Sequence, residues 1–172
     1  MASYFSEHFA SITAPTVLIK QQKVPVGVHH ARMRYSCERV LLTAVLAVGE
    51  QIRMGQFKSG DRFHDILLTC DNAGSTGDIN IGLAKTGAAH AGAFIDEDLF
   101  ATALDVNAGA LARVDQFDEA GLNDYDRNKP LWELAGQSED PFEDWDLVIT
   151  GDEIFTNAAC EMQLEVHYTS DG

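Results

Sequence analysis

The sequence predicts an all-β, antiparallel fold, either a β-sandwich or a barrel. Alternation of polar and apolar residues with a period of two recurs along the chain, which is the pattern of half-buried strands. Turn-forming residues separate these segments at intervals of roughly 8–12 residues, as in sandwiches and barrels. At 172 residues, 45% hydrophobic and 23% charged, the chain suits one globular domain with a core of its own.

The clearest alternation runs from Cys160 to Tyr168, where apolar residues hold the even positions and polar residues the odd ones. This pattern predicts a strand with one buried and one solvated face. Glycine- and asparagine-containing turns at 48–50, 58–61 and 72–77 predict hairpin connections. Further strands are predicted at 26–35, 39–47, 51–57, 63–70, 78–83 and 146–150.

Little of the chain has a helical pattern. One short helix is predicted over Asp96–Leu104, because an N-cap residue and an acidic first turn precede apolar residues. The stretch 115–145 is too long and acidic for an ordinary loop, and we expect a short helix or a functional excursion in it. Residues 1–25 have weak periodicity and two prolines, and they predict an extended N-terminal arm ordered by a partner. Residues 26–172 then form a single β-sandwich domain.

The net charge of −15 is unevenly distributed. Residues 1–60 hold seven basic and three acidic side chains, a balance of +4. Residues 61–172 hold five basic and 24 acidic side chains, a balance of −19. An acidic body repels phosphate backbones, so nucleic acid is not an expected partner.

Membrane, redox and enzymatic functions find no support in the sequence. The longest apolar run, 40–48, is too short to span a bilayer, and the first residues do not resemble a secretion signal. The three cysteines are widely spaced without a C-x-x-C motif, and we expect buried free thiols made in a reducing cytoplasm. No nucleophile elbow, Walker A loop or Gly-x-Gly-x-x-Gly motif occurs, so we expect no enzyme.

No cofactor or metal site is predicted either. His29 and His30 are neighbours in a predicted strand and would point to opposite faces, so they cannot chelate one ion. The run Asp124-x-Asp126-x-Asn128 begins like a calcium loop, but Lys129 and Ala135 stand where an EF-hand needs glycine and glutamate.

Several segments, taken in order, resemble small virion proteins of tailed phages. Segment 52–68 is similar to the strand, short turn and strand of that group, and 129–136 is similar to its Leu-Trp-Glu-x-x-Gly element. The group often has Leu-Pro-Ala-Gly in the turn, whereas this chain has Lys58-Ser59 at the Pro-Ala positions. The other matching segments are 79–83, 94–100, 146–150 and the final strand ending at Tyr168. The resemblance covers residues 38–170.

This resemblance implies a capsid decoration (cement) protein with a β-sandwich of jelly-roll type and no catalytic motif. The implied partner is the major capsid protein, and the implied location is the capsid surface of the virion after synthesis in the host cytoplasm. Self-association into a homo-oligomer is left open. Two alternatives are a tail- or fibre-associated virion protein and a carbohydrate-binding β-sandwich module. The latter usually displays a row of aromatic residues, whereas Trp132 and Trp145 are expected in loops.

The charge distribution suggests which side would face the shell. We predict that the acidic body faces outward and that the less acidic N-terminal part faces the capsid. The alternative is that its arginines are ordinary exposed strand residues. The predicted capsid-facing residues are Lys20, Lys23, Arg32, Arg34, Arg39 and Arg53.

Overall fold

The structure is a computed structural model that describes residues 33–87, 92–107, 109–157 and 159–170. The predicted arm, residues 1–25, and most of the strand predicted at 26–35 lie outside the described residues. The strands are β1 (Met33–Leu41), β2 (Gln51–Lys58), β3 (Arg62–Cys70), β4 (Asp78–Lys85), β5 (Phe94–Asp105), β6 (Leu111–Asp115), β7 (Asp144–Gly151) and β8 (Glu161–Thr169). A 3-10 turn (Asp126–Asn128) and a one-turn helix α1 (Leu131–Leu134) lie between β6 and β7.

The strands form two antiparallel four-stranded sheets packed face to face. Sheet A has the order β1-β8-β3-β6 and sheet B the order β2-β7-β4-β5. Strands that follow each other along the chain belong to different sheets, except for β4 and β5. This alternation is the double Greek key of an eight-stranded jelly roll. The predicted antiparallel sandwich of jelly-roll type is therefore confirmed.

The predicted turns occur where expected, but they do not make hairpins. Gly49 and Gly74 have φ angles of 76° and 112°, a region that favours glycine. The connections from β1 to β2, from β2 to β3 and from β3 to β4 each cross from one sheet to the other. The hairpin prediction was wrong because the jelly roll pairs β1, β2 and β3 with partners far away in sequence.

The core lies between the sheets and is aromatic at one end. Phe63 of β3 is fully buried, and its ring centroid lies 4.7 Å from that of Phe57 and 5.6 Å from that of Phe100. Tyr168 packs edge-on against Phe57 with the centroids 5.0 Å apart. Phe63 and Tyr168 belong to sheet A, whereas Phe57 and Phe100 belong to sheet B. This aromatic cluster therefore joins the two sheets.

The helix predicted at Asp96–Leu104 is wrong, because this segment lies within strand β5. The pairing of β4 with β5 shifts register three times, and Leu99, Phe100 and Ala101 are buried in succession. Bulges of this kind remove the period-two alternation from the sequence. The β5 backbone also passes close over β4, since a Cβ atom added to Gly82 would lie 2.2 Å from the carbonyl oxygen of Asp96.

Other boundaries also differ from the predictions. The strand predicted at 39–47 ends at Leu41, and the chain beyond it runs toward β2 with Leu46 buried in the core. Strand β6 was not predicted, since most of its five residues are exposed and do not alternate. The short helix expected in 115–145 is confirmed by the 3-10 turn and α1.

Two of the three cysteines form a buried pair. The Sγ atoms of Cys70 and Cys160 are 3.7 Å apart, both thiols are free, and burial raises the pKa of each. Cys37 is free but exposed on β1, so the expectation that all three thiols are buried was wrong for this residue.

Candidate docking surfaces

Strand β1 is an edge of sheet A with both of its faces open to solvent. Only Ser36 and Val40 are half-buried, and the other residues of the strand are exposed. Met33, Tyr35 and Leu41 are 62%, 58% and 59% exposed, which is unusual for large apolar residues on one strand.

The pairing of β1 with β8 fixes which side chains share a face. Arg34, Ser36, Glu38 and Val40 lie opposite Tyr168, Val166, Leu164 and Met162, whose side chains point toward the core. The odd-numbered residues Met33, Tyr35, Cys37, Arg39 and Leu41 therefore lie on the outer face of sheet A. This apolar stripe was not predicted, because the predicted strands at 26–35 and 39–47 divide the alternation at 33–41.

The predicted capsid-facing residues do not form one patch in the described part of the chain. Lys20, Lys23 and Arg32 lie outside the described residues. Arg34 and Arg39 lie on opposite faces of β1, and Arg53 lies on β2 in the other sheet.

Two of these arginines are engaged in ion pairs within the chain. Arg39 pairs with Glu161 on the outer face of sheet A. Arg53 lies opposite Val148 on the outer face of sheet B, and its Nη2 atom is 2.8 Å from Oδ1 of the buried Asp146. Because the outer faces of a sandwich point in opposite directions, Arg39 and Arg53 cannot contact one flat partner together. Arg34 forms no ion pair with any described residue.

The outer face of sheet A carries a network centred on Arg127. Its Nη2 atom lies 2.8 Å from Asp115 Oδ2, its Nη1 atom lies 3.3 Å from Asp65 Oδ1, and its Nε atom lies 3.2 Å from Asp124 Oδ1. The guanidinium carbon is 4.6 Å from the centroid of the Phe117 ring. Arg127 thus ties the 3-10 turn to β3 and β6, and this network has a structural role rather than a docking role.

His64 beside this network should make the stability of the fold depend on pH. Burial lowers the pKa of His64; Asp65 opposes this effect, and the positive charge of Arg127 adds to it. The unfolded chain, with a histidine pKa of about 6.5, therefore takes up the proton more readily than the folded chain. The stability that neutral His64 contributes is therefore present above a pH of about 6.5 and is lost as the pH falls below that value. The urea midpoint should fall more between pH 7 and 5 in the natural protein than in His64→Gln. Equal slopes would contradict this assignment.

A cleft of about 380 Å³ lies between the turn 58–61 and the segment 140–144. Ser59 Oγ donates a hydrogen bond to Asp140 and accepts one from the Glu143 backbone N–H at 3.2 Å. The Lys58 backbone N–H donates to Asp61 Oδ2 at 3.0 Å. The two Ser59 bonds fasten the turn to the segment that precedes β7, and the Lys58–Asp61 bond closes the turn on itself.

The carboxylates of the run that resembles a calcium loop serve as local partners. Asp126 Oδ1 lies 2.9 Å from Lys129 Nζ, and its Oδ2 atom accepts from the Asn123 N–H. Asp124 pairs with Arg127. Within the described ranges, no cluster of three or more histidine, cysteine or acidic side chains could hold a metal ion.

The tryptophans are not placed as expected. Trp145 lies in β7 opposite Phe57 and is 2% exposed, so its prediction as a loop residue was wrong. Trp132 lies in α1, partly buried against the core. Neither ring belongs to an exposed aromatic row of the kind a sugar-binding face displays. No helix in the described part of the chain is long and apolar enough to cross a membrane.

Comparison with known proteins finds similarity in structure but not in sequence. No protein-family model and no curated protein sequence matches the chain. A chain in the capsid of Ralstonia phage GP4 matches with a TM-score of 0.61 and 14% identity, over 82% of this chain and 86% of the other. A chain of the Cyanophage Pam1 capsid asymmetric unit matches with a TM-score of 0.47 and 12% identity, over 81% and 85%. The first match shows that this fold also occurs in a phage capsid chain of similar length.

Proposed function

We propose that the protein is a structural component of a tailed-phage virion, a capsid decoration protein that binds and stabilises the head shell. The observation that carries the proposal is the jelly roll shared with a chain of the GP4 phage capsid over more than four-fifths of both chains. The ordered sequence resemblance over residues 38–170 supports the same role independently of the fold.

The charge distribution is compatible with this role. A decoration protein is displayed in many copies at high local density and must adhere on one side only. The balance of −19 in residues 61–172 gives like-charge repulsion between neighbouring particles. The segment 1–60, with a balance of +4, is the part that an acidic partner would repel least.

We assign shell attachment to the N-terminal segment rather than to the strands. Arg39 and Arg53 are held by Glu161 and Asp146 on opposite outer faces of the sandwich, so using them would require breaking existing pairs. This leaves Arg34, which lies on β1, and Lys20, Lys23 and Arg32. We assign attachment to the last three, on a segment that can lie across the shell and add main-chain hydrogen bonds to it.

The proposal is tested on purified particles of the encoding phage. Quantitative mass spectrometry should find the chain in a fixed ratio to the major capsid protein, and cryo-electron microscopy should show its density repeated over the icosahedral lattice. Density confined to the tail would establish the tail-associated alternative. Absence of the chain from purified particles would exclude a virion role altogether.

Attachment through the N-terminal segment is tested with undecorated shells. A variant lacking residues 1–25, or one with Lys20→Glu and Lys23→Glu, should leave the melting temperature unchanged and reduce occupancy on shells at least about tenfold at low salt. The matched control reverses Lys85 and Lys129, whose side chains on the folded domain are 59% and 45% exposed, and should retain full occupancy. Full occupancy of the variant lacking residues 1–25 would show that attachment occurs elsewhere.

A further inference from the structure

Among the described residues, strand β1 differs from the other three sheet edges in having no bulge, no proline and no shortened length, and its inward-facing charges are Arg34 and Glu38. Natural sheets protect their edges with bulges, short strands, prolines or charges directed inward. Strands β2 and β5 have register shifts in their pairing, and β6 has only five residues. In contrast, β1 is nine residues long and pairs with β8 without one interruption.

The free backbone groups of β1 belong to its odd-numbered residues. The Leu42 N–H donates to the Cys160 carbonyl at 3.0 Å, so the even-numbered residues direct their backbone groups toward β8. The Asp71 N–H donates to the Glu161 carbonyl at 2.9 Å. The odd-numbered residues of β8 therefore direct their backbone groups toward β3, and its even-numbered residues direct theirs toward β1. Met33, Tyr35, Cys37 and Arg39 therefore present N–H and C=O groups to any strand that lies alongside β1.

The charges on β1 are complementary to those of a second copy of β1. Arg34 and Glu38 are exposed on the same face, and neither has an ion-pair partner among the described residues. Four residues of strand separate them by about 13 Å, so they cannot pair within one chain. In an antiparallel pair of β1 strands related by a two-fold axis at Ser36, each Arg34 lies directly opposite the other copy's Glu38.

The same arrangement suits the other face of the strand. It places Tyr35 opposite Cys37 of the other copy and Met33 opposite Arg39, which covers apolar side chains that are now exposed. The even-numbered residues form the non-hydrogen-bonded pairs, where side chains approach most closely. The strand carries two arginines and one glutamate, so this edge is also where two copies of an acidic chain repel each other least.

We propose that two copies of this protein pair antiparallel through β1 about a two-fold axis at Ser36. Their two A sheets then become one continuous eight-stranded sheet. In this dimer Arg34 contacts the partner copy rather than a shell, and the segments that precede Met33 leave from opposite ends of the paired strands. The proposal concerns the isolated protein and holds whether or not it binds a capsid.

The charge arrangement is tested by exchanging the two residues. Sedimentation of the full chain over a range of concentrations should show a monomer–dimer equilibrium. The single substitutions Arg34→Glu and Glu38→Arg should each raise the dimer dissociation constant at least about tenfold. In each variant, like charges face each other at both of the contacts that the two-fold axis relates. The double variant R34E/E38R should restore the dimer. Lys85→Glu, the same charge change on an exposed residue outside β1, should have no effect. Monomer at every concentration, or no recovery in the double variant, would overturn the proposal.

The register is tested by disulfide formation. In Ser36→Cys/Cys37→Ser the two new thiols lie directly opposite across the axis, and oxidised glutathione should link them into a covalent dimer. Arg34→Cys in the same Cys37→Ser background places the thiols about 13 Å apart and should give none. A covalent dimer from the second variant only, or a link between the natural Cys37 residues with none at position 36, would contradict this register. Unchanged melting temperatures of the reduced variants show that they are folded.

Discussion

Replacing Phe63 with alanine should lower the free energy of unfolding by about 3–5 kcal/mol. The ring is fully buried and contacts aromatic side chains of both sheets, so its removal leaves a cavity where the sheets meet. Since small domains have about 5–15 kcal/mol of stability in total, this variant should be close to unfolding at room temperature. Guanidinium titration followed by tryptophan fluorescence, to which the buried Trp145 in β7 of the facing sheet contributes, measures the loss.

Two comparison variants keep this prediction testable even if Phe63→Ala does not fold. Phe63→Leu retains most of the apolar volume and should lose about 1–2 kcal/mol. Phe142→Ala removes the same ring from a site that is 90% exposed and should change stability by less than about 0.5 kcal/mol. If the two alanine variants lost similar amounts, the aromatic cluster would not be what joins the sheets.

Replacing Arg127 with alanine should have the second largest effect, a loss of about 2–4 kcal/mol. The side chain is only 19% exposed, and it joins the 3-10 turn to carboxylates of β3, of β6 and of Asp124 just before the turn. Without the guanidinium group, the negative charges of Asp65 and Asp115 remain close together and lose the positive charge that offsets them. We expect a lower unfolding midpoint and faster amide hydrogen exchange in β6, the edge strand that Arg127 fastens to the sheet.

Two further substitutions separate the geometry of Arg127 from its charge. Arg127→Lys keeps the charge but cannot donate to several carboxylates at once, so it should recover only part of the stability. Arg39→Ala breaks a pair in which the arginine is 63% exposed, and it should lower the unfolding midpoint much less than Arg127→Ala does. Full recovery by lysine would mean that charge alone, without the forked geometry, explains the role of Arg127.

The parts of the fold that could be predicted are those where local pattern and tertiary pairing agree. Strand β8 alternates regularly because one of its faces meets the core and the other meets solvent, and its sequence shows this directly. Strand β5 could not be found in this way, since its bulges place three buried residues in succession after an acidic turn that favours a helix. Strand β7 begins earlier than predicted because an acidic run precedes it and hides the buried Trp145.

The candidate docking surfaces were less predictable than the strands. The sequence shows that Arg39 and Arg53 are basic, but their partners Glu161 and Asp146 are more than ninety residues away along the chain. Arg34 and Glu38 share one face of β1, but the predicted strands at 26–35 and 39–47 left Glu38 between them, and the sequence does not show that β1 lies at an edge. Whether a charge is free to bind depends on strand order, and strand order is set by pairings between distant segments.

The order of sheet A also has a consequence for how the protein folds. Strand β8 lies between β1 and β3, so the last of the eight described strands along the chain separates two of the first three. Neither neighbour can complete its hydrogen bonding in this sheet until β8 has left the ribosome. Contacts between segments so far apart require the closure of long loops, which slows folding to the range of milliseconds to seconds. Sheet A therefore closes only when β8 inserts between two strands that are already present.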